Sequence, residues 1–352
     1  MRSNRNAKRK VIIGVIIAVA AIVLFGVGLY AAERMGLKDV QFGDSGEWGD
    51  GEPEVTELYL NDKLYISRDS LDTYLLVGTD SGGKDEGEMY SGELADFIVL
   101  LLVDNTTEKF GFLQIDRNSM VDMVVPDESG NDSDLETMQI CISHWYGKTQ
   151  EDRNYYTSSA VATLLGDLEV DNVYSLEMTQ IGAVNHAIGG VEVDIQTDLT
   201  KVDPAFVEGT TVRLSDKQAE KFVRARSGVG KGTNAERMER QAQYMQKVYN
   251  LVMNQARENP EYLDNLYGQL KGKVYSGDST KNFSRLTKQL TEYESQGIMR
   301  FKGKTKVHDT LGEGIEHEEF YVSETSILES LQKIMNLKEA PEDYGEEDDE
   351  EE

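Results

Sequence analysis

The longest apolar run in the chain covers residues 11–32, carries no charge, and follows Arg2, Arg5, Lys8, Arg9 and Lys10, with Glu33 just beyond it. About 20 apolar residues suffice to cross a bilayer as a helix, and basic flanks stay on the cytoplasmic side. The pattern therefore predicts one transmembrane helix over 11–32, with residues 1–10 in the cytoplasm and all that follows outside the cell. A cleaved signal peptide shares the basic start, but this run is longer than a usual signal core and Tyr30-Ala31-Ala32 makes a poor cleavage site. Residues 33–55 are rich in glycine and acids and show no period, which predicts a flexible stalk.

From residue 56 to 338 the pattern is that of a folded domain. Leu58-Tyr59-Leu60 and Leu64-Tyr65-Ile66 flank Asn61-Asp62, a hairpin signal. Near-continuous apolar runs at 73–78, 97–103 and 110–115 have strand length and predict strands covered on both faces. The spacing predicts helices over 155–165, 177–188 and from 215 onward, and a strand over 191–195 follows Gly189-Gly190. Farther on, helices are expected at 262–270, 283–295 and 326–335, and strands at 299–307 and 320–322. Strands interleaved with helices predict an α/β fold in which a mixed central β-sheet is sandwiched by helices. Residues 339–352, dominated by acids, are expected to form a disordered tail.

The net charge of −28 argues against a nucleic-acid partner, because phosphate backbones reward basic surfaces. Cys141 is the only cysteine, so the exported part holds no internal disulfide, which suits a bacterial surface protein. His144, His186, His308 and His317 are dispersed without metal-ligand spacing.

Against this acidic background Arg224, Arg226, Lys231, Arg237 and Arg240 cluster in one short span broken by Gly228, Gly230 and Gly232. A solvated basic face has the same composition as an anion site, and what the cluster faces decides between them. Ser215-Asp216-Lys217-Gln218 and Thr233-Asn234-Ala235-Glu236 each have the form of a capping box, so two helices bracket the glycines. An extended exit from the first helix would point Arg224 and Arg226 to one side, and the second helix brings Arg237 into its first turns, where anions are favoured. The span is no P-loop, since Ala225 and Gly232 stand where glycine and a hydroxyl residue are required. Asp80 lies just past the end of one predicted strand and Asp96 just before the next, which lets both reach one crevice at a sheet end. Paired carboxylates with several arginines suit a diphosphate held through Mg²⁺, while aspartates at strand ends are also common turn formers.

LLVGTDSGG (75–83), ADFIVLLLVD (95–104), FLQIDRNSMVDM (112–123), YSLEMTQIGAVNHAIGGVEVDI (174–195) and LSDKQAEKFVRARSGVGKGTNAERMERQ (214–241) resemble, in that order, the successive motifs of the LytR-CpsA-Psr family. The resemblance covers residues 71–253, and QICISHWYG (139–147) is similar to a variant seen among clostridial members. It implies a membrane-anchored protein of Gram-positive type that faces the cell wall, partnered by the membrane, a polyprenyl-pyrophosphate-linked glycan and peptidoglycan. The implied activity is a phosphotransferase that moves glycopolymers from that carrier to peptidoglycan. Residue by residue, Asp80 and Asp96 match the carboxylates near the family's Mg²⁺ (or Mn²⁺), and Arg117, Arg224, Arg226, Arg237 and Gln241 match its pyrophosphate-binding residues. Asp80, Asp96 and Arg117 are the catalytic candidates. Ile181 and Val184 are candidates for the apolar pocket of the polyprenyl tail, with core packing as the better-supported role. A non-catalytic sensor or scaffold that binds polyprenyl-linked glycans is the alternative function.

Several positions depart from the family's pattern. Leu94 and Gly82 stand where arginines are frequent, Gln139 where a lysine is frequent, and Asn118 and Asn234 where aspartates are usual. Both signs of charge are thinned, so retuned or weakened metal and diphosphate affinity is expected.

Overall fold

The computed structural model describes residues 55–80, 93–126, 132–226, 229–259, 262–270, 272–276, 289–290, 292–308 and 316–344. The expected transmembrane helix, all but the last residue of the stalk and residues 345–352 lie outside these. Among the described residues no helix is long and apolar enough to cross a membrane.

In chain order the strands and helices begin with a hairpin, β1 (Thr56–Leu60) and β2 (Lys63–Ser67), then β3 (Leu71–Asp80), β4 (Leu94–Asp104) and β5 (Lys109–Ile115). A second hairpin, β6 (Met120–Pro126) and β7 (Asp132–Gln139), leads through a 3₁₀ turn (Ile140–Trp145) into α1 (Gln150–Leu164) and β8 (Asn172–Glu177). Next come α2 (Ile181–Ala187), β9 (Glu192–Asp194), β10 (Thr211–Arg213), α3 (Asp216–Arg224), α4 (Asn234–Glu258) and α5 (Tyr262–Leu270). The chain closes with β11 (Val274–Ser276), β12 (Glu294–Arg300), β13 (Gly303–His308), β14 (His317–Val322), α6 (Glu324–Leu331) and β15 (Lys338–Glu339).

Six strands form the central sheet in the order β11-β8-β3-β4-β5-β12. β3 pairs antiparallel with β4 and parallel with β8, β5 pairs antiparallel with β4 and parallel with β12, so the sheet is mixed. Its apolar strands bury alternate residues on opposite faces. Tyr74, Leu76, Val99, Leu101 and Phe112 pack with Phe222, Tyr244, Met245 and Val248 of α3 and α4. Leu75, Val77, Leu100, Leu102 and Leu113 pack with Ala160 and Val161 of α1 and with Ile327 and Leu331 of α6. Helices therefore cover both faces, as the continuous hydrophobicity of β3, β4 and β5 predicts.

One irregularity places a functional side chain. Gly78 is paired with Phe97 and Thr79 with Ala95, so Asp96 is the extra residue of a bulge in β4. A bulge re-aims the side chains around it; Ala95 and Phe97, two apart, bury into opposite cores, and Asp96 is freed to turn toward the α4 side. A Cβ at residue 78 would lie 2.8 Å from Met178 Cε and 2.9 Å from Phe97 Cβ, so glycine is what permits this close crossing.

Several expectations need correction. The hairpin turn is as read, with Asn61 and Asp62 at φ 54° and 58°, the left-handed pair of a two-residue turn. The helix expected at 177–188 starts with a 3₁₀ turn at Met178–Gln180 and is α-helical over Ile181–Ala187, because Glu177 completes β8, a central strand parallel to β3. β6 and β7 were not foreseen. α1 starts at Gln150 rather than 155, behind a capping box between Thr149 and Asp152. The helix expected over 283–295 is cut short by β12, which starts at Glu294, while residues 281–288 lie outside those described. The strand expected over 299–307 is two strands, β12 and β13. The tail is held as far as residue 344: β15 pairs with β2, Ala340 N–H donates to Leu64 O at 2.9 Å and Tyr344 Oη to Glu57 Oε1 at 2.7 Å. Backbone pairing is indifferent to side-chain charge, and Lys63 Nζ meets Glu339 at 2.8 Å.

The 3₁₀ turn leads from β7 past the sheet end and is fastened by a buried histidine. His144 Nε2 accepts from Gln150 Nε2 at 3.1 Å, which leaves Nδ1–H to donate to Thr157 Oγ1 at 3.0 Å. Burial, with Arg153 nearby, pushes His144 down from 6.5 to about 3. The unfolded chain therefore takes up this proton first as pH falls, and the stability carried by the neutral ring is complete above 6.5 and drains away toward 3. Urea titrations should show wild type losing about 2 kcal/mol more than His144→Gln between pH 7.5 and 5; equal pH slopes would show the ring to be solvated.

Candidate functional site

β3 and β5 run opposite to β4, so the end of β3, the start of β4 and the exit of β5 lie at one end of the sheet. That brings Asp80, Asp96 and the Asp116-Arg117-Asn118 segment together. α3 and α4 supply the facing wall. Ser215 and Gln218 close a full capping box at the head of α3. At α4 only half of the expected box forms: Thr233 Oγ1 accepts from Glu236 N–H, while the Glu236 carboxylate accepts from Lys231 N–H at 2.8 Å. The Glu236 side chain thus ties down the glycine loop, with Gly230 at φ 54° and its missing Cβ 2.6 Å from Glu236 Oε2.

The arginines face carboxylates. Arg224, the last residue of α3, meets Asp80 Oδ2 at 2.5 Å and Glu220 Oε1 at 2.8 Å. Arg117 Nη1 lies 3.1 Å from Asp96 Oδ1, and Arg237 Nη1 lies 3.4 Å from Asp96 Oδ2. Arg226 Nη2 is 3.8 Å from Glu318 Oε2 of β14. Arg237 also donates from Nε to Asn234 Oδ1 at 3.0 Å, and Asn234 Nδ2 donates to Asp116 Oδ1 at 2.5 Å. The structure therefore sets Arg224 on Asp80, Arg117 and Arg237 on Asp96, and Arg226 on Glu318, all at this end of the sheet.

Two neighbours on α4 look elsewhere. Arg240 is buried and donates to the carbonyls of Phe222, at 3.2 Å, and Ala225. Gln241, matched by resemblance to the pyrophosphate set, is buried with Nε2 directed at Val223 O at 3.4 Å. Both serve carbonyls at the end of α3, which a helix leaves without internal partners. Ile181 and Val184 are buried in the α2–α4 core.

Burial sets the electrostatics. It pushes Arg237 down to about 10, against the pull of Asp96, with Arg117 and Arg226 adding repulsion. Burial also works against the charge of Arg224, but Asp80 and Glu220 outweigh it and hold that guanidinium above its ordinary value. The Asp116 carboxyl is raised by burial, despite hydrogen bonds from Asn118 N–H and Asn234. Burial raises the Cys141 thiol too, so Cys141 presents a neutral sulfur to Arg117 Nη2 at 3.1 Å, and its N–H donates to Arg117 O. A buried group of guanidiniums that repel each other is a place where a multiply charged anion gains most.

Sequence reasoning missed Asp116, Cys141 and Glu318 as neighbours of the cluster. Asp116 could have been found, since it adjoins Arg117 at the exit of a predicted strand. Glu318 carries no such signal, because a hairpin far along the chain delivers it.

Among the described residues no group of three or more His, Cys, Asp or Glu side chains converges as a metal cage. Asp80 and Asp96 nevertheless fit Mg²⁺ or Mn²⁺, hard ions that take one or two carboxylates and complete their shell with water and substrate phosphate. Among the described residues Asp96 Oδ1, which is buried, accepts no hydrogen bond, since Arg117 Nη1 approaches it off the bonding direction.

The geometry separates the buried Arg240 from the partly exposed Arg226. Arg240→Ala strands two carbonyls and should cost about 2–3 kcal/mol in urea denaturation. Arg226→Ala, at a partly exposed ion pair, should change stability by less than about 1 kcal/mol. Equal losses would show that Arg240 is not the strut of α3.

Comparison with known proteins follows the same outline. Residues 53–336 match the LytR_cpsA_psr family. Lin1025 from Listeria innocua is 21% identical, with 75% of this chain and 97% of that one covered and a TM-score of 0.51. TagV from B. subtilis is 16% identical, with 78% and 99% covered and a TM-score of 0.55. TagT bound to LI-WTA is 17% identical, with 76% and 90% covered and a TM-score of 0.54. No curated protein matches the chain. At these identities the solved structures establish the shared fold. The family match takes in the whole central sheet, its helical layers and every charged residue of the cluster, and the chain belongs to the LytR_cpsA_psr family.

Proposed function

We propose that the protein is a membrane-anchored phosphotransferase that moves a glycopolymer from a polyprenyl-pyrophosphate carrier onto peptidoglycan. The observation that carries this reading is the convergence of Asp80 and Asp96 with Arg117, Arg224, Arg226 and Arg237 at one sheet end. Family membership supports it, as does a relative of the same fold solved bound to LI-WTA. The anchor is the helix expected over 11–32, which leaves the cluster on the outer face of the cell membrane beside a lipid-borne substrate.

In this reading the arginines bind the diphosphate and stabilise the charge that grows on the leaving phosphate. A muramic acid hydroxyl oxygen attacks the glycan-linked phosphorus and forms a new P–O bond. The bond to polyprenyl phosphate breaks, and that group departs with the electron pair. Asp80 or Asp96 takes the hydroxyl proton. Mg²⁺ or Mn²⁺, held by the same two aspartates, would supply charge neutralisation at the phosphates. Arg224 is aligned by Asp80 and Glu220, and Gln241 supports it through the end of α3.

Full-length protein in detergent, given polyprenyl-pyrophosphate-linked glycan, Mg²⁺ and peptidoglycan oligomers, is expected to attach the glycan. Arg224→Ala should lower that rate about 10²-fold. Carrier binding by the wild type with no transfer at all would replace this reading with the non-catalytic sensor.

A further inference from the structure

Hairpin β13–β14 lies beyond the motifs that carry the resemblance, yet it places a carboxylate against the arginine cluster. Glu318 Oε2 is 3.8 Å from Arg226 Nη2 and accepts from Asn118 Nδ2 at 3.3 Å. Two more bonds fix its position: Gln139 Nε2 donates to Glu318 O at 2.8 Å, and Phe320 N–H donates to Asn118 O at 2.8 Å. The side chains of Asn118 and Gln139 are thus both engaged on one residue. The amide at 118 suits that task, since an aspartate there would face Glu318 with like charge and no proton to donate.

The contact with Arg226 differs in kind. At 3.8 Å it is an ion pair and no hydrogen bond, and the two side chains keep 32% and 29% of their surface exposed. Arg224 by comparison sits on Asp80 at 2.5 Å. A solvent-screened pair of this sort is weak, and a ligand with two phosphate charges can break it. Glu318 is therefore held firmly from behind, by Asn118 and Gln139, and holds Arg226 loosely in front.

We propose that Glu318 is a positioning residue that occupies Arg226 in the ligand-free site and competes for it with the diphosphate. The inference rests on the reading of Arg226 as a diphosphate ligand. Arg226 engages the ligand by leaving Glu318, and Glu318 recaptures it when one phosphate departs with the product. The carboxylate thereby lowers affinity for diphosphate and favours release. Glu318→Gln removes the charge and keeps an oxygen for Asn118 Nδ2, so the hairpin stays in place.

The test is calorimetric titration of the full-length protein with inorganic pyrophosphate at fixed Mg²⁺. Glu318→Gln should bind about fivefold more tightly than wild type, and the gain should vanish when Arg226→Ala is present in both proteins compared. A Glu318→Gln protein that binds no better, or that gains equally without Arg226, would overturn the proposal while leaving the site reading intact. A wild type that binds no pyrophosphate would overturn both.

Discussion

The site depends on keeping the charge of Arg237 while burying it. A guanidinium taken from water loses several kcal/mol of solvation unless carboxylates and hydrogen bonds replace the water. Asp96 supplies the opposite charge and Asn234 Oδ1 the acceptor. Asp96 reaches Arg237 only because a bulge opposite Gly78 and Thr79 turns it out of the strand's alternation. The bulge in turn needs a glycine at 78, packed under Met178 and Phe97. A charge at the helix start is thus traced to a missing side chain two strands away.

The apolar frame makes this tolerable. Each fully buried leucine or phenylalanine of β3, β4 and β5 contributes about 2–3 kcal/mol, and both faces of the sheet are filled with such residues. The ion pairs of Arg224 and Arg226 are partly exposed and contribute little to stability one by one, while the buried pairs on Asp96 are costly to break from one side. Stability and function are therefore held by different residues. The sheet and its helices hold the shape, and the charged side chains at its end are free to exchange partners when a ligand arrives.

The fold was legible wherever a residue pattern has one physical meaning. Continuous apolar runs marked β3, β4 and β5, and the Asn61-Asp62 pair marked its hairpin. β8 was hidden because Asn172–Glu177 runs straight into helix-forming residues, and the strand is specified by its parallel pairing to β3. Tertiary pairing also claimed Glu294 and Ser295, the start of β12, from an expected helix. In the site, local motifs gave away Arg224 and Arg237, each next to a helix terminus. Gln241, assigned by resemblance, is buried with its amide directed at the end of α3, since helical spacing says which face a residue is on and nothing about what that face meets. Glu318 was illegible, since its place depends on a hairpin packed across the molecule.

The amides at 118 and 234 do more than remove charge from the cluster. Read along the chain, asparagine in place of aspartate looks like lost negative charge and a weakened site. In the structure Asn234 does what a carboxylate cannot: it accepts from Arg237 Nε through Oδ1 and donates to Asp116 through Nδ2. Asn118 likewise donates to Glu318. Each amide makes room for a carboxylate contributed by another segment, at Asp116 and at Glu318. An aspartate at either position would set two acids against each other in a half-dry site, where like charges are costly. Negative charge in this cluster sits at Asp116 and Glu318, and each asparagine donates to one of them.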